Sequence, residues 1–140
     1  MNEKIATFLK ANHLLHLCVV YEGAAYGASC FYLYDDGFLL FASNQSTNHM
    51  RGILSDPRVA GTIACCEQEI AKLRGVQFRG VVRKATKEQK KRYYRKYPLA
   101  LSIGEPVWAI ELEWIKMTDN RLGFGKKIEW FRYDDKKESR

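Results

Sequence analysis

Between Leu14 and Ser43 the chain reads as three apolar strands cut by two short turns, Glu22-Gly23 and Asp35-Asp36-Gly37. No other stretch limits the fold so tightly. Glycine accepts a positive φ without a Cβ clash, so each turn reverses the chain within a few residues and sets consecutive strands side by side, antiparallel. In the first strand Leu15, Leu17, Val19 and Tyr21 alternate with Leu14, His16, Cys18 and Val20. Both faces are largely apolar, so the pattern predicts a strand buried on both sides. The second strand is expected from about Ala25 to Tyr34 and the third from Phe38 to Ser43.

The remaining segments extend this picture. Ile5, Phe8 and Leu9 follow helical spacing and predict a short amphipathic first helix. Met50, Ile53 and Leu54 predict a second, capped by Ser46 or Thr47 and ended by Pro57. Strand residues resume at Val59 to Cys66. Ile70 to Lys84 reads as one long extended stretch, with Gly75 and Gly80 as bulge or bend points. Thr86 and Gln89 form a T-x-x-Q capping box before a basic helix that Pro98 is expected to stop. Tyr93 and Tyr97, four apart, would pin that helix to the sheet. Trp108, Ile110, Leu112 and Trp114 alternate with Ala109, Glu111 and Glu113, as a half-exposed strand requires. The same alternation makes Trp108 a core residue and puts both glutamates on the outer face. Asp119-Asn120 turns the chain into a last strand, Lys127 to Tyr133.

Six or more strands with three short helices make a mainly β, α+β architecture. Closure into a barrel is the economical way to remove exposed strand edges at this size. The chain is expected to be a single domain over residues 1–140, with 134–140 as a frayed basic tail.

Composition excludes several classes. At 46% apolar residues the chain is too hydrophobic to be disordered. It has no apolar run near the ~20 residues of a membrane helix and no secretion-signal pattern at its start, so a cytoplasmic protein is expected. Cys18, Cys30, Cys65 and Cys66 contain no C-x-x-C pair, which argues against structural zinc and for reduced thiols. His13 and His16 straddle a helix-to-strand junction, so no metal site is assigned. The net charge of +7 is concentrated between Arg83 and Lys96 and in the tail. A solvated helix face accounts for most of it, with nucleic-acid binding through helix 87–96 as an alternative.

Three stretches carry a family resemblance. Ser46 to Val59 passes from a polar loop through a short helix to a Pro-x-Val strand start. Leu73 to Gly80 is a long strand ending in glycine. The third runs from Tyr97-Pro98 to the strand at Val107. In this order they resemble the flavin split barrels of the pyridoxamine 5'-phosphate oxidase-like superfamily. Within it, Arg74 to Phe78, Pro106-Val107-Trp108 and Thr118 to Lys127 are most similar to the bacterial YhbP-like group. The resemblance implies a homodimeric split β-barrel with short flanking helices. It also implies flavin mononucleotide (FMN) as cofactor, held in a groove between two subunits.

Carried over position by position, the resemblance places the flavin phosphate at Ala42 and Ser43 on a strand end and at Thr47, Asn48 and His49 at a helix start. A helix N-terminus favours an anion there; plain helix capping is the other reading of Ser46 and Thr47. His49 stands where many relatives carry Lys. The segment Ala28 to Leu33 lacks the Arg and Lys that many relatives place on the second strand. A family glutamine matches Gly75, with Gln77 two residues along on the same face. Lys126 and Lys127, in the glycine-flanked loop 122–127, are candidate replacement cations or simply solvated lysines. Arg74, Trp108 or Trp130 of a partner would meet the ring.

Three functions follow: an FMN-dependent oxidoreductase of unknown substrate, a non-enzymatic module for a flavin, haem or other planar ligand (with His16 or His49 as an axial ligand for haem), and a nucleic-acid binder. No catalytic side chain is assigned, because hydride chemistry would belong to the flavin.

Overall fold

The computed structural model describes residues 1–123 and 126–133. Gly125 and the 134–140 tail lie outside the described residues. Both early turns reverse the chain in two residues: Glu22 and Gly23 have φ of 53° and 77°, and Asp36 and Gly37 of 39° and 88°. Positive φ at both central positions matches the right-handed twist of the flanking strands. These turns join β1 (Leu14–Tyr21), β2 (Ala24–Asp35) and β3 (Phe38–Ala42) into a meander.

Pairing continues from β1 to β4 (Arg58–Ala64), β5 (Arg74–Lys84) and β6 (Val107–Asp119), every contact antiparallel. β3 then pairs back onto β6, which closes a six-stranded barrel. The length of β6 allows this. Its residues 107–111 face β3, while residues 114–118 carry the extra strand β7 (Lys127–Phe131) on the same edge. Arg132 fills the seam between β3 and β7. Its Nη2 donates to the Gly37 carbonyl and its Nε to the Leu112 carbonyl, both at 2.7 Å.

The main core is built from Leu15, Leu17, Val19, Tyr32, Ile63, Phe78 and Ile110, with Ile5, Phe8 and Leu9 of α1 (Glu3–Ala11) and Met50 and Ile53 of α2 (Asn48–Ser55). A smaller core lies outside the barrel wall. There Tyr93 of α3 (Lys87–Lys96) covers Leu40, Val107 and Ala109, with Ala100 of α4 (Pro98–Ile103) packed at its margin. Tyr93 Oη donates to the Phe31 carbonyl at 3.2 Å and Tyr97 Oη to the Tyr32 carbonyl at 2.6 Å, the pinning that their spacing predicted. The Thr86–Gln89 capping box is formed, and Trp108 is buried.

Several expectations change. Pro98 ends α3 but also opens α4, giving four α-helices among the described residues; proline is well suited to a first helical position, where its missing N–H leaves no gap. The stretch 70–84 is not extended throughout, because Ile70–Lys72 is a 3₁₀ turn and β5 begins at Arg74. The register shifts between Arg79 and Gly80, whereas Gly75 pairs regularly with Thr118 and Ala64 and makes no bulge. The last strand ends at Phe131 rather than Tyr133. Finally, β1 is buried on one face only. Leu15, Leu17 and Val19 are in the core, but Leu14 and Val20 are 40% and 50% exposed and Phe31 of β2, on the same outer face, is 59% exposed. Among the described residues Tyr97 stands against Phe31, with ring centroids 5.8 Å apart, and Leu14 and Val20 stay open to solvent.

Candidate active-site cleft

Ser43 follows the last residue of β3, and its backbone is fixed on both sides. Its N–H donates to the Pro106 carbonyl at 3.0 Å, and its carbonyl accepts the Trp108 indole N–H at 3.0 Å. Its hydroxyl lies 2.7 Å from His49 Nε2 and 3.4 Å from Thr47 Oγ1. Thr47 is the N-cap of α2 and accepts from the Met50 N–H; Ser46 bonds instead to Asn44. Three polar side chains thus converge at the start of α2, where the first N–H groups of a helix have no internal acceptor. Burial holds His49 below the ordinary imidazole range, so at neutral pH the ring is uncharged and can either donate or accept, but not both from one nitrogen.

Ala42, Ser43 and His49 form one end of a cleft of about 530 Å³. Phe31 and Tyr97, with ring centroids 5.8 Å apart, give it an aromatic wall. Lys96 lines it as well, with its ammonium 5.5 Å from the Tyr97 ring. Ser29, Cys30 and Glu105 add to the polar lining. Burial, reinforced by the Glu105 carboxylate, pushes the Cys30 thiol up to about 11, so it is protonated and unreactive near neutrality.

The structure brings Ala42, Ser43, Thr47 and His49 together. Asn48 is exposed at the first turn of α2 and does not line the cleft. Gln77 is exposed and faces outward from β5; cross-strand pairs put it in one row with Thr62, His16 and Ser29. Ser29 lines the cleft, so Gln77 lies three strand spacings away, roughly 14 Å. Arg74 sits near the far end of β6, and Lys126 and Lys127 lie beside it around a separate hollow. Within one chain these four residues are not part of the cleft.

Lys96 was missed by sequence reasoning, having been read with the solvated face of the basic helix. The signal lay in its neighbours. Tyr93 and Tyr97 turn the end of α3 toward the sheet, which brings the adjacent Lys96 to the cleft. Two other cations of that helix are occupied: Arg92 pairs with Asp35 at 3.0 Å and Lys91 with Glu88 at 3.7 Å.

A closed six-stranded antiparallel barrel, extended by one strand and carrying a cleft between its wall and a helical hairpin, is the split-barrel class of small-ligand proteins. Residues 1–132 match the sequence family described as Pyridoxamine 5'-phosphate oxidase, and the chain belongs to that family. It is 39% identical to a UPF0306 protein of Citrobacter koseri over 136 residues, covering 91% of this chain and 92% of that one. Among solved structures it is similar to an FAD-binding protein of Mesorhizobium loti (TM-score 0.68, 17% identity, 84% of this chain and 92% of that one). It is also similar to the haem storage protein of Vibrio cholerae (TM-score 0.68, 11% identity, 79% and 88%). No helix among the described residues is long and apolar enough to cross a membrane.

Proposed function

We propose that the chain binds a flat heterocycle with an anionic tail, FMN in the first instance, in the cleft between β2, β3 and the α3–α4 hairpin. The observation that carries this reading is the cluster of Ser43, Thr47 and His49 at the start of α2, set at one end of an apolar cleft that also holds Lys96. Ser43, His49 and the first N–H groups of α2 would take the phosphate; Thr47 caps the helix, accepting from the Met50 N–H and donating to the Asn44 carbonyl, and Lys96 would supply the positive charge that β2 lacks and His49 does not carry. Phe31 and Tyr97 would line the ring, because aromatic faces pack well against a planar heterocycle. The donor set therefore fits a phosphate-tailed flavin.

A second copy of the chain would close the cleft, since the apolar outer face of β1 and β2 borders it and leaves Leu14 and Val20 open to solvent. Gln77, Lys126 and Lys127, outside the cleft of their own chain, would then contribute from the partner. When bound, a flavin supplies hydride transfer, and an oxidoreductase is the enzymatic form of this reading. The chain's own residues bind, orient and exclude water. A second reading is haem, favoured by the uncharged His49 imidazole, which is the form that ligates iron.

Titration of the purified protein with FMN, riboflavin and haem, followed by absorbance and fluorescence, tests these readings. FMN is expected to bind more tightly than riboflavin. His49→Ala and Lys96→Ala should each weaken FMN about tenfold, one charge-assisted or polar contact each, and leave riboflavin unchanged. Equal affinity for FMN and riboflavin removes the anion clamp. A sharp haem band lost in His49→Ala selects haem instead.

A further inference from the structure

At the far end of β6 from the cleft lies a second hollow of about 410 Å³, between one face of α1 and the ends of β5 and β6. Phe8, Met117 and Ile128 give it an apolar floor. Arg74 lines it, and the Arg74 Nε is buried without a hydrogen-bond partner among the described residues. A buried guanidinium N–H is seldom left unpaired, because desolvation without a new acceptor is unfavourable. The nearest obvious acceptor is already committed. Asp119 accepts from the Arg121 N–H and Nε at 3.0 Å and from Arg121 Nη2 at 2.8 Å, using both carboxylate oxygens. The Arg74 guanidinium instead stands 5.8 Å from the Phe8 ring, and its backbone N–H donates to Cys65 Sγ.

The hollow borders a smaller one of about 280 Å³, which shares Lys4, Met117, Asp119, Leu122 and Ile128 and adds Lys126 and Lys127. With Asp119 and Arg121 paired to each other, the remaining charges on the two hollows are Lys4, Arg74, Lys126 and Lys127 against Glu3 alone. The site is therefore cationic at its walls, apolar at its floor, and holds an orphaned planar donor.

We infer that this hollow is a second ligand site, distinct from the cleft, for a small molecule with a carboxylate on an apolar body. Arg74 would grip the carboxylate through its guanidinium fork, the geometry that suits a planar two-oxygen anion and that lysine cannot reproduce. Lys4 would add charge from α1, and Phe8, Met117 and Ile128 would cover the apolar body. This explains Arg74 independently of any role in the cleft.

Benzoate and inorganic phosphate serve as probes, with binding followed through the methyl signals of Met117 and Ile128 by NMR. Benzoate is expected to bind in the millimolar range and phosphate more weakly. Arg74→Lys keeps the charge but loses the fork and should weaken benzoate about tenfold. Lys4→Ala, at an exposed helix position that leaves the fold intact, should weaken it severalfold and steepen no other titration. Unmoved methyl signals at high benzoate, or equal benzoate affinity in wild type and both variants, overturn the site. Phosphate binding as tightly as benzoate overturns the assigned ligand class.

Discussion

Val20→Asp tests whether the uncovered face of β1 is an interface between two copies. Val20 is half exposed in the single chain and points outward on the face that also carries Cys18 and, farther along the strand, Leu14. Full burial of a valine is worth about 1.5–3 kcal/mol, so covering the exposed half is worth about 1 kcal/mol. A two-fold interface uses each residue twice, giving about 2 kcal/mol per dimer. Aspartate does more than remove this. It places two carboxylates against an apolar partner face, at an effective penalty of several kcal/mol per ion. Together these exceed ~6 kcal/mol, more than four decades in the dimer dissociation constant. A micromolar dimer becomes a monomer at any workable concentration. Sedimentation velocity of wild type and variant reads the mass directly, and far-UV circular dichroism checks that the barrel persists. Val20 does not line the cleft, so any fall in FMN affinity in the variant reports loss of the partner. Val20→Thr, nearly isosteric, should shift the dimer by about tenfold only. A wild type that sediments as a monomer, or a Val20→Asp variant that remains a dimer, refutes the reasoning.

Gly80→Ala should destabilise the barrel by about 1–3 kcal/mol in urea titration, because the added Cβ meets the Glu111 carbonyl at 2.5 Å beside the β5–β6 bulge. Thr86→Ala removes the side-chain cap of α3 and should lower stability by about 1 kcal/mol in the same assay. Timed alkylation at pH 8 with mass spectrometry should find Cys30 the slow thiol beside exposed Cys18 and Cys66, since burial keeps it protonated to about 11. His49 gives the fold a pH dependence. Its folded pKa lies below the ordinary 6.5, so the unfolded chain binds more protons as pH falls below about 6.5; stability should therefore decline from there down to the folded value, and His49→Gln should flatten that decline.

Local chemistry explains why the hairpins were legible: Glu22-Gly23 and Asp36-Gly37 each specify their turn without help from the rest of the chain. α4 was not legible, because Pro98 read as a stop signal serves equally as a start. The cleft was half legible. Ser43, Thr47 and His49 are close in sequence and meet in space, whereas Lys96 arrives from a helix whose charges looked uniformly solvated. Arg74 and Gln77 are both candidates for the flavin site in the sequence, yet a strand has a side-chain period of two. Arg74 shares the inward side with Val76 and Phe78, and Gln77 the outward side with Gly75. That separation was readable from the odd spacing alone, and it is what assigns the two residues to different places.

The two-sided apolar pattern of β1 carries the same lesson one level higher. A sequence records every surface that is covered in the working assembly, while a single chain displays only those it covers itself. Leu14, Val20 and Phe31 are exposed apolar residues on the outer face of β1 and β2, the face a second copy would cover under the proposed assembly. The polar row Ser29, His16, Thr62 and Gln77 crosses that same outer face, with His16 Nδ1 3.0 Å from Ser29 Oγ. It gives the face a direction, from the cleft toward β5. If a second copy lies across it, ligand binding and assembly become one linked equilibrium: a ligand held by both copies stabilises the dimer in proportion to the logarithm of its concentration over its dissociation constant. Flavin should then raise the apparent dimer affinity of wild type and fail to do so when Lys96 and His49 are both replaced by alanine, because the coupling acts only through a ligand that is bound.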